Sequence, residues 1–274
     1  MAVMAQIRCG FFKSSIVLSL KLVLIAGVVS VLQTPSVLLA AGIPRRWEAK
    51  EYKPPTGIGR PGRLDGGGTR APDSCPVVGK PLMALVPSNG FGVTVAAHPT
   101  FFVYMPALSP QSPSLPVEFR LVDMDDNELY KATFHKTSGM SGIVSLNLPT
   151  YGGVAPLEVG KDYRWSFSVL CQPDERSRSI TVEGLIRRVE PNPTLKTQLM
   201  QASLQTQVEL YAGAENWYDA LAALVQLRRN NPDDAAAAAE WAKLMSAAGL
   251  DALTQESLMP ISSTPRRQLS SSQP

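Results

Sequence analysis

The stretch Tyr163-Arg164-Trp165-Ser166-Phe167-Ser168-Val169-Leu170-Cys171 decides the fold that we predict for this chain. Large apolar side chains alternate with small or charged ones through Val169, which is the two-residue period of a strand with one buried face. The side chains of one parity should therefore point into a hydrophobic core. These predicted core residues are Tyr163, Trp165, Phe167 and Val169.

Other segments with strand character lie on both sides of this stretch. Turn residues such as Asn89-Gly90 and Gly152-Gly153 separate them, and no helical period lies between them. About eight short strands in this order predict an antiparallel sandwich or barrel, and we expect the sandwich, over residues 75–190. The remaining predicted strands are 82–86, 93–95, 101–105, 117–122, 128–134, 143–148 and 180–188.

The approach to the central strand is more specific. Residues 157–163, followed by Trp165, resemble the corner of immunoglobulin-like and fibronectin-type sandwiches. In those folds a tyrosine opens a strand, and its hydroxyl bonds to the backbone a few residues upstream. We therefore expect the Tyr163 hydroxyl to make such a bond.

After residue 191 the pattern changes from strands to helices. Asn followed by Pro, at 192 and again at 231, is a helix start signal. Apolar stripes predict a first helix that ends near Gly213, a second that Asn216 caps, and a third from 233 to 249. This layout over residues 192–256 is typical of tetratricopeptide units, and a small bundle docked on the sheet is the alternative. The predicted fold class is therefore α+β.

A groove between such helices would offer apolar anchors to a partner protein. If the helices instead pack fully onto the sandwich, this groove does not exist. The candidate interaction residues are Tyr211, Trp217, Tyr218 and Trp241.

Residues 1–42 have the pattern of a signal peptide. Basic residues precede an apolar run at 22–32, and the small residues Ala40-Ala41-Gly42 follow it. Lys21 divides the apolar stretch, and an uncleaved membrane anchor is the alternative. Either reading predicts an exported protein of the periplasm or cell envelope.

Two cysteines, Cys75 and Cys171, lie outside this leader. In an oxidising compartment they predict one disulfide, and two buried thiols are the alternative. Together with His98 and His135 they supply too few ligands for a zinc site. We expect no metal and no cofactor.

The segments that flank the predicted domains are polar. Residues 43–74 form a basic, Pro- and Gly-rich linker that could make weak contact with an anionic membrane or a glycan. Its glycines do not form a phosphate loop, because the Gly-Lys-Ser/Thr ending is missing. Residues 257–274 should form a disordered tail. The net charge of +3 gives no reason to expect a nucleic acid partner.

No catalytic constellation stands out. A hydrolase built on His98 or His135 would have to assemble from scattered residues, because no Gly-x-Ser-x-Gly motif is present. The acidic run 123–128 fails the EF-hand pattern, and a polar hairpin explains it better than a calcium site. An exposed aromatic at Phe101, Phe102 or Tyr104 would suit sugar binding, but burial is the expected state of that strand.

Several segments in a fixed order carry a resemblance that spans residues 57–250. They include Gly66-Gly67-Gly68-Thr69-Arg70 before Cys75-Pro76, and the stretch from Leu157 to Cys171. The chain resembles the cyanobacterial proteins grouped as DUF928, although Phe102 stands where that pattern has a tryptophan. The resemblance implies an exported protein and brings no activity with it. The other segments are 82–87, 98–104, 142–149, 184–188, 217–221 and 227–228.

The function we expect is that of a non-enzymatic binding or scaffold protein that recognises another envelope protein. An envelope glycan-binding module is the second hypothesis, and a hydrolase is the third.

Overall fold

The computed structural model describes residues 75–112, 114–136, 139, 141–172 and 178–259. The predicted leader, the linker at 43–74 and the residues from 260 onward lie outside this part. Ten strands and four helices in the described part give the predicted α+β class. The strands are β1 (Val77–Val78), β2 (Met83–Ala84), β3 (Phe91–Thr94), β4 (Thr100–Met105), β5 (Ala107–Leu108), β6 (Leu115–Asp123), β7 (Glu128–Lys136), β8 (Gly142–Asn147), β9 (Asp162–Val169) and β10 (Ile180–Arg188). The helices are α1 (Pro193–Gln201), α2 (Leu204–Gly213), α3 (Trp217–Asn230) and α4 (Ala235–Ala247), followed by a 3-10 helix at Asp251–Leu253.

The strands form three sheets. A five-stranded sheet has the order β3-β10-β9-β6-β7, a three-stranded sheet has the order β2-β4-β8, and β1 pairs with β5. β3 runs parallel to β10, with Phe91 beside Leu185, so the large sheet is mixed and the prediction of a purely antiparallel fold is wrong. The alternation within a strand reports its buried face, but it carries no information on the direction of a neighbour.

The central strand β9 lies between β10 and β6. Tyr163, Trp165, Phe167 and Val169 are all buried, while the intervening side chains are partly exposed. The two larger sheets meet through aromatic rings: the Phe101 ring of β4 lies 4.9 Å from that of Phe119 in β6 and 5.6 Å from that of Trp165. The predicted corner bond is present, since the Tyr163 hydroxyl accepts from the backbone N–H of Glu158 at 2.9 Å.

The helical part differs from the prediction in one element. The expected first helix is two helices, because Ser203 interrupts it and caps α2 by accepting from the Thr206 N–H at 3.2 Å. α4 begins after Asp234, whose carboxylate accepts from the N–H of Ala236. None of the helices in the described part is both long and apolar enough to cross a bilayer.

Helix α3 packs directly on both larger sheets. The Trp217 indole N–H donates to the Leu85 carbonyl at 2.9 Å. The Tyr218 hydroxyl accepts from the Trp165 indole N–H at 2.7 Å and donates to the Leu185 carbonyl at 3.1 Å. Buried apolar residues of the strands and of α2, α3 and α4 form a single cluster, so sheets and helices share one core.

This packing corrects the predicted interaction surface. Trp217, Tyr218 and Trp241 are each at most 1% exposed, so a partner cannot contact them in this structure. Tyr211 is half-buried and packs against the same core. A helical stripe of apolar residues shows that one face is buried, but not whether it lies against its own chain or another.

A disulfide and a short backbone pairing connect the segments at residues 75 and 257–259 to the sheets. Cys75 and Cys171 form a disulfide, which confirms the predicted pair. Leu258 forms a parallel bridge with Ile143 at the outer edge of β8. The Ile143 N–H donates to the Ser257 carbonyl, and the Met259 N–H donates to the Ile143 carbonyl, both at 2.8 Å. Residues 257–259 are therefore part of the fold, and the predicted disordered tail begins too early.

Candidate functional site

A cavity of about 660 Å³ opens between the outer strands of the two larger sheets, β7 and β8. Side chains from both sheets form its apolar walls, and residues 148–151, which follow β8, also line it. This volume lies within the range of sites that take small molecules or short peptide segments. The main apolar lining residues are Met105, Val117, Phe134, Val144, Leu146 and Phe167.

The strand geometry explains which side chains line the walls. Val117 pairs with Phe134 and with Val169, and Leu121 pairs with Tyr130. Side chains that are directly opposite in a sheet point to the same face, so Phe134 and Tyr130 face the inter-sheet space with the core residues of β6. Beyond β7 the described part of the large sheet has no further strand. The inter-sheet space is therefore open on this side.

The opposite side of the inter-sheet space is closed. There the ring of Tyr218 lies 5.8 Å from that of Phe101, and the edge of α3 passes close to β3. A Cβ added at Gly92 would lie 2.7 Å from the Tyr218 ring. The asymmetry between a closed side and an open side places the candidate site at β7 and β8.

Both histidines of the chain line this cavity, although they come from separate elements. His98 precedes β4, and its Nε2 atom is buried without a hydrogen-bond partner in the described part. His135 lies in β7 opposite Pro116 and is exposed at the rim. A buried polar atom without a partner is costly, so a ligand that bonds to His98 Nε2 would recover free energy.

The electrostatic environment of the cavity favours neutral or anionic ligands. Lys136 places a cationic side chain in the lining, although burial lowers the pKa of its ammonium. Burial, and then the nearby phenol of Tyr151, raise the pKa of the Tyr130 hydroxyl. Among the described lining residues there is no aspartate or glutamate. Hydrolases that use a histidine as base commonly orient it with a carboxylate, and the described lining contains no carboxylate.

The acidic run at the β6–β7 turn is a hairpin, as predicted. The Asp123 carboxylate accepts from the backbone N–H groups of Asp125 and Asn127, each at 2.9 Å, and from the Asn127 amide. The hydrogen bond from the Asn127 side-chain amide is the main cause that lowers the pKa of Asp123, and the backbone hydrogen bonds from Asn127 and Asp125 add to it. Within the described ranges no three His, Cys, Asp or Glu side chains come together as metal ligands.

The aromatic residues of β4 do not form a sugar platform. Phe101, Phe102 and Tyr104 are each 2% exposed, because the strand is covered on both faces. Tyr151, at the rim of the cavity, is 72% exposed instead. Only a weak sequence signal points to Tyr151, since an aromatic residue before Gly152-Gly153 lies in a turn that need not bury it.

Comparison with curated proteins finds no match to this chain. A family model described as "Domain of Unknown Function (DUF928)" matches residues 65–258. The matched range includes the disulfide, the central strand, the cavity and the bridge at Leu258. The chain therefore belongs to the DUF928 family.

Proposed function

We propose that this protein is an exported, non-enzymatic binding protein that holds an extended segment of another envelope protein in the cavity between β7 and β8. The observation that carries this proposal is a cavity of about 660 Å³ bordered by the outer strands of two sheets. An extended segment could add to a strand edge through backbone hydrogen bonds, while its side chains enter the apolar space.

The edge of β8 supports this mode of binding. Ile143 directs both its N–H and its carbonyl to residues 257–259, so residues of the same parity, Ser145 and Asn147, direct theirs outward as well. No backbone hydrogen bond joins these outward groups to another described residue. A strand with free edge groups is a template for pairing with another chain.

The cavity supplies specificity beyond the backbone. Its walls are mostly apolar, and His98, Lys136 and Tyr130 place polar groups at separate points of the lining. In an apolar site, a small number of polar groups fixes the orientation of the ligand. A partner segment with alternating apolar residues and one hydrogen-bonding or anionic group would therefore fit best.

The remaining parts have supporting roles in this proposal. The sheets act as an immunoglobulin-like sandwich, and the tetratricopeptide-like helices stabilise its closed side instead of contacting a partner. The leader exports or anchors the chain, and the basic linker gives reach and weak attraction to anionic surfaces.

A charge placed in the cavity tests the proposal. We immobilise three proteins: the full chain, its Leu146→Glu variant and the control variant Met200→Glu. Each is exposed to envelope extract, the retained proteins are purified, and their affinity for each immobilised protein is measured by titration. Met200 is 73% exposed on α1, far in sequence from the lining. We expect Leu146→Glu to weaken binding at least tenfold, about 1.4 kcal/mol, with no effect of Met200→Glu. Equal binding by Leu146→Glu, with an unchanged melting curve, would contradict the proposal.

A second candidate function is binding of an envelope glycan, which the exposed ring of Tyr151 at the cavity rim favours. Aromatic faces present large, rigid surfaces to sugar rings. In this case the protein should bind isolated peptidoglycan, and Tyr151→Ala should abolish that binding. Retention of peptidoglycan by Tyr151→Ala at the wild-type level would exclude this role for Tyr151.

A further inference from the structure

The outer edge of β7 presents backbone groups that are available to another strand. The Pro116 carbonyl of β6 accepts from the Leu170 N–H at 2.9 Å, so the even-numbered residues of β6 direct their backbone groups away from β7. The odd-numbered residues of β6 therefore bond to β7, where they lie opposite Tyr130, Ala132 and Phe134. The intervening residues of β7 direct their N–H and carbonyl groups outward, and in the described part no other backbone group bonds to them. These residues are Lys131, Thr133 and His135.

Two features that discourage pairing at other sheet edges leave most of β7 free to pair. Lysines on an edge strand usually keep other strands away, but the Lys131 ammonium is bound to the Glu118 carboxylate at 2.9 Å. A bulge at Leu129 interrupts the ladder with β6, but it lies near the start of β7. The regular part of the edge, residues 130–136, can therefore accept a further strand.

A second copy of β7 fits this edge when the two strands run antiparallel and Ala132 lies at the two-fold axis. Ala132 is the midpoint of β7, so the two strands overlap over their full length. Lys131 then lies opposite Thr133 of the second copy, and their outward groups exchange hydrogen bonds. An axis at position 131 would instead oppose two Lys131 side chains, and an axis at 133 would oppose Lys131 and His135. Since like charges directly opposite each other are destabilising, the register centred on Ala132 is favoured.

This register also brings together aromatic side chains that line the cavity. Tyr130 of one copy lies opposite Phe134 of the other, and both residues are half-buried lining residues. They form a pair without backbone hydrogen bonds, in which Cα atoms lie about 4.5 Å apart. The two rings therefore cover each other, and aromatic pairs of this kind stabilise a sheet.

The outer face of the paired strands adds a match of charge. Because of the bulge, Glu128 shares this face with Arg120, whose guanidinium donates to the Glu128 carboxylate at 2.9 Å. The same one-residue shift brings Glu128 opposite His135 of the second copy. An acidic side chain thus meets a basic one at each end of the paired strands.

We propose that this chain forms a two-fold symmetric dimer in which β7 pairs with β7 of a second copy and the large sheet continues through both. The axis is perpendicular to the sheet, because it relates two antiparallel neighbours. The inner faces of both copies therefore lie on the same side, and the two cavities open toward each other. Tyr130 and Phe134 of each copy extend the wall of the other cavity. In this last respect the inference rests on the proposed function, since two partner segments would lie side by side.

Amide hydrogen exchange of the full chain at about 1 and about 200 μM tests the pairing without a partner. We expect the N–H groups of Lys131 and Thr133 to exchange at least about threefold more slowly at the higher concentration, because pairing protects them. The outward N–H groups of Ser145 and Asn147 in β8 are the controls and should exchange equally at both concentrations. Unchanged exchange at Lys131 and Thr133, or equal slowing at the β8 controls, would overturn the inference.

Two substitutions at Thr133 give a matched test by analytical ultracentrifugation. Thr133→Lys places an ammonium opposite Lys131 of the second copy, whereas within its own chain this position faces Glu118 of β6. Thr133→Val keeps the size of the side chain and adds no charge. We expect Thr133→Lys to weaken dimerisation about fivefold, with an unchanged melting curve at about 1 μM, and Thr133→Val to dimerise like the unsubstituted chain.

Equal dimerisation by Thr133→Lys and Thr133→Val, or an unsubstituted chain that stays monomeric at about 200 μM, would overturn the inference. These measurements use no envelope extract, so their outcome is separate from that of the proposed function. A monomer that retains an envelope partner would overturn the dimer alone. A dimer that retains none would support the inference and contradict the proposed function.

Discussion

The Tyr218 hydroxyl joins three elements at one buried point. It accepts from Trp165 of β9 and donates to the Leu185 carbonyl of β10, while its own backbone belongs to α3. Burial is the main cause that raises the pKa of this phenol, and the bond from Trp165 opposes it. The hydroxyl therefore stays protonated and can serve both partners at once.

We predict that Tyr218→Phe destabilises the protein by about 2–4 kcal/mol, because a buried indole N–H and a buried carbonyl each lose a partner. Chemical denaturation followed by tryptophan fluorescence measures this loss. Tyr211→Phe, at a half-buried position of α2, is the control and should change stability by less than about 0.5 kcal/mol. A Tyr218→Phe variant as stable as the control would show that the hydroxyl bonds contribute little.

Asp219, the next residue, should make stability depend on pH. Burial is the main cause that raises the pKa of its carboxyl to about 6, although the Val95 N–H at 2.9 Å favours the charged form. The folded pKa lies above the unfolded value near 3.9, so the folded state binds more protons between about pH 4 and 6. Stability from this group is therefore present at low pH and falls as pH rises through 6, by on the order of 3 kcal/mol.

Asp219→Asn should remove this dependence, because the amide oxygen can still accept from Val95 and carries no charge to desolvate. Urea unfolding between pH 4 and 7 measures the slope for the wild type and the variant. Asp251→Asn, at an exposed carboxylate, should leave the wild-type slope intact. Parallel curves for the wild type and Asp219→Asn would rule out Asp219 as their source.

For single residues, the sequence predicts burial where the side chains follow the two-residue period of a strand. The alternation from Tyr163 to Val169 predicts burial, and those four side chains are buried. The alternation cannot reveal the polar contacts of Tyr218 or Asp219, since Trp165, Leu185 and Val95 are distant in sequence and meet α3 only after folding. In the sequence, Tyr218 and Asp219 are indistinguishable from other residues in the first turn of a helix.

Among the elements, β9 and β10 pack with unusual closeness at one point. Gly184 lies opposite Trp165, and a Cβ at position 184 would lie 2.6 Å from the Trp165 ring. The ring cannot move aside easily, because it is fully buried and its N–H is bonded to Tyr218. Position 184 therefore requires glycine, because the space between β10 and the Trp165 ring leaves no room for a side chain.

We therefore predict that Gly184→Ala destabilises the protein by about 1–3 kcal/mol, the range for overpacking a filled core. Thermal unfolding by circular dichroism gives the measurement. Glu183→Ala changes the neighbouring residue on the other face of β10 and should have a much smaller effect. If Gly184→Ala melts at the wild-type temperature, the strands must be able to separate without cost.

Element positions were largely predictable, but their partners were not. All eight predicted strands exist, with ends shifted by a few residues, because alternation and turn residues mark them locally. The two missed strands, β1 and β5, have two residues each and are too short to show a period. The break at Ser203 was missed because apolar residues on both sides continue one helical stripe.

For the whole molecule, the shared core implies that the sheets need the helices. Without α3, the Leu85 and Leu185 carbonyls and the Trp165 N–H lose their partners, and Phe101 loses a neighbouring ring. We predict that a chain restricted to residues 75–190 shows no cooperative unfolding and binds a hydrophobic dye. A chain of residues 75–259 is the matched control and should unfold cooperatively. A sharp transition in the shorter chain would mean that the sheets are independently stable.

The candidate cavity was the least predictable feature of the molecule. His98 and His135 can be selected as candidate site residues from the sequence. That they line one cavity depends on which strands form the edges of the two larger sheets. That order follows from pairings across long stretches of chain. The contribution of residues 257–259 was missed for the same reason, since a short polar segment pairs with β8 only in the finished sheet.

The parallel pairing of β3 with β10 has a consequence for how the molecule is built. β3 has β10 as its sheet neighbour in the described part, and Phe91 meets Leu185 only when nearly all the strands exist. During synthesis from the N-terminus, β3 therefore remains without its sheet neighbour, and its apolar residues remain uncovered, until β10 has been made. Such late, long-range closure slows folding and leaves time for aggregation, so a chaperone that shields the early strands should raise the yield.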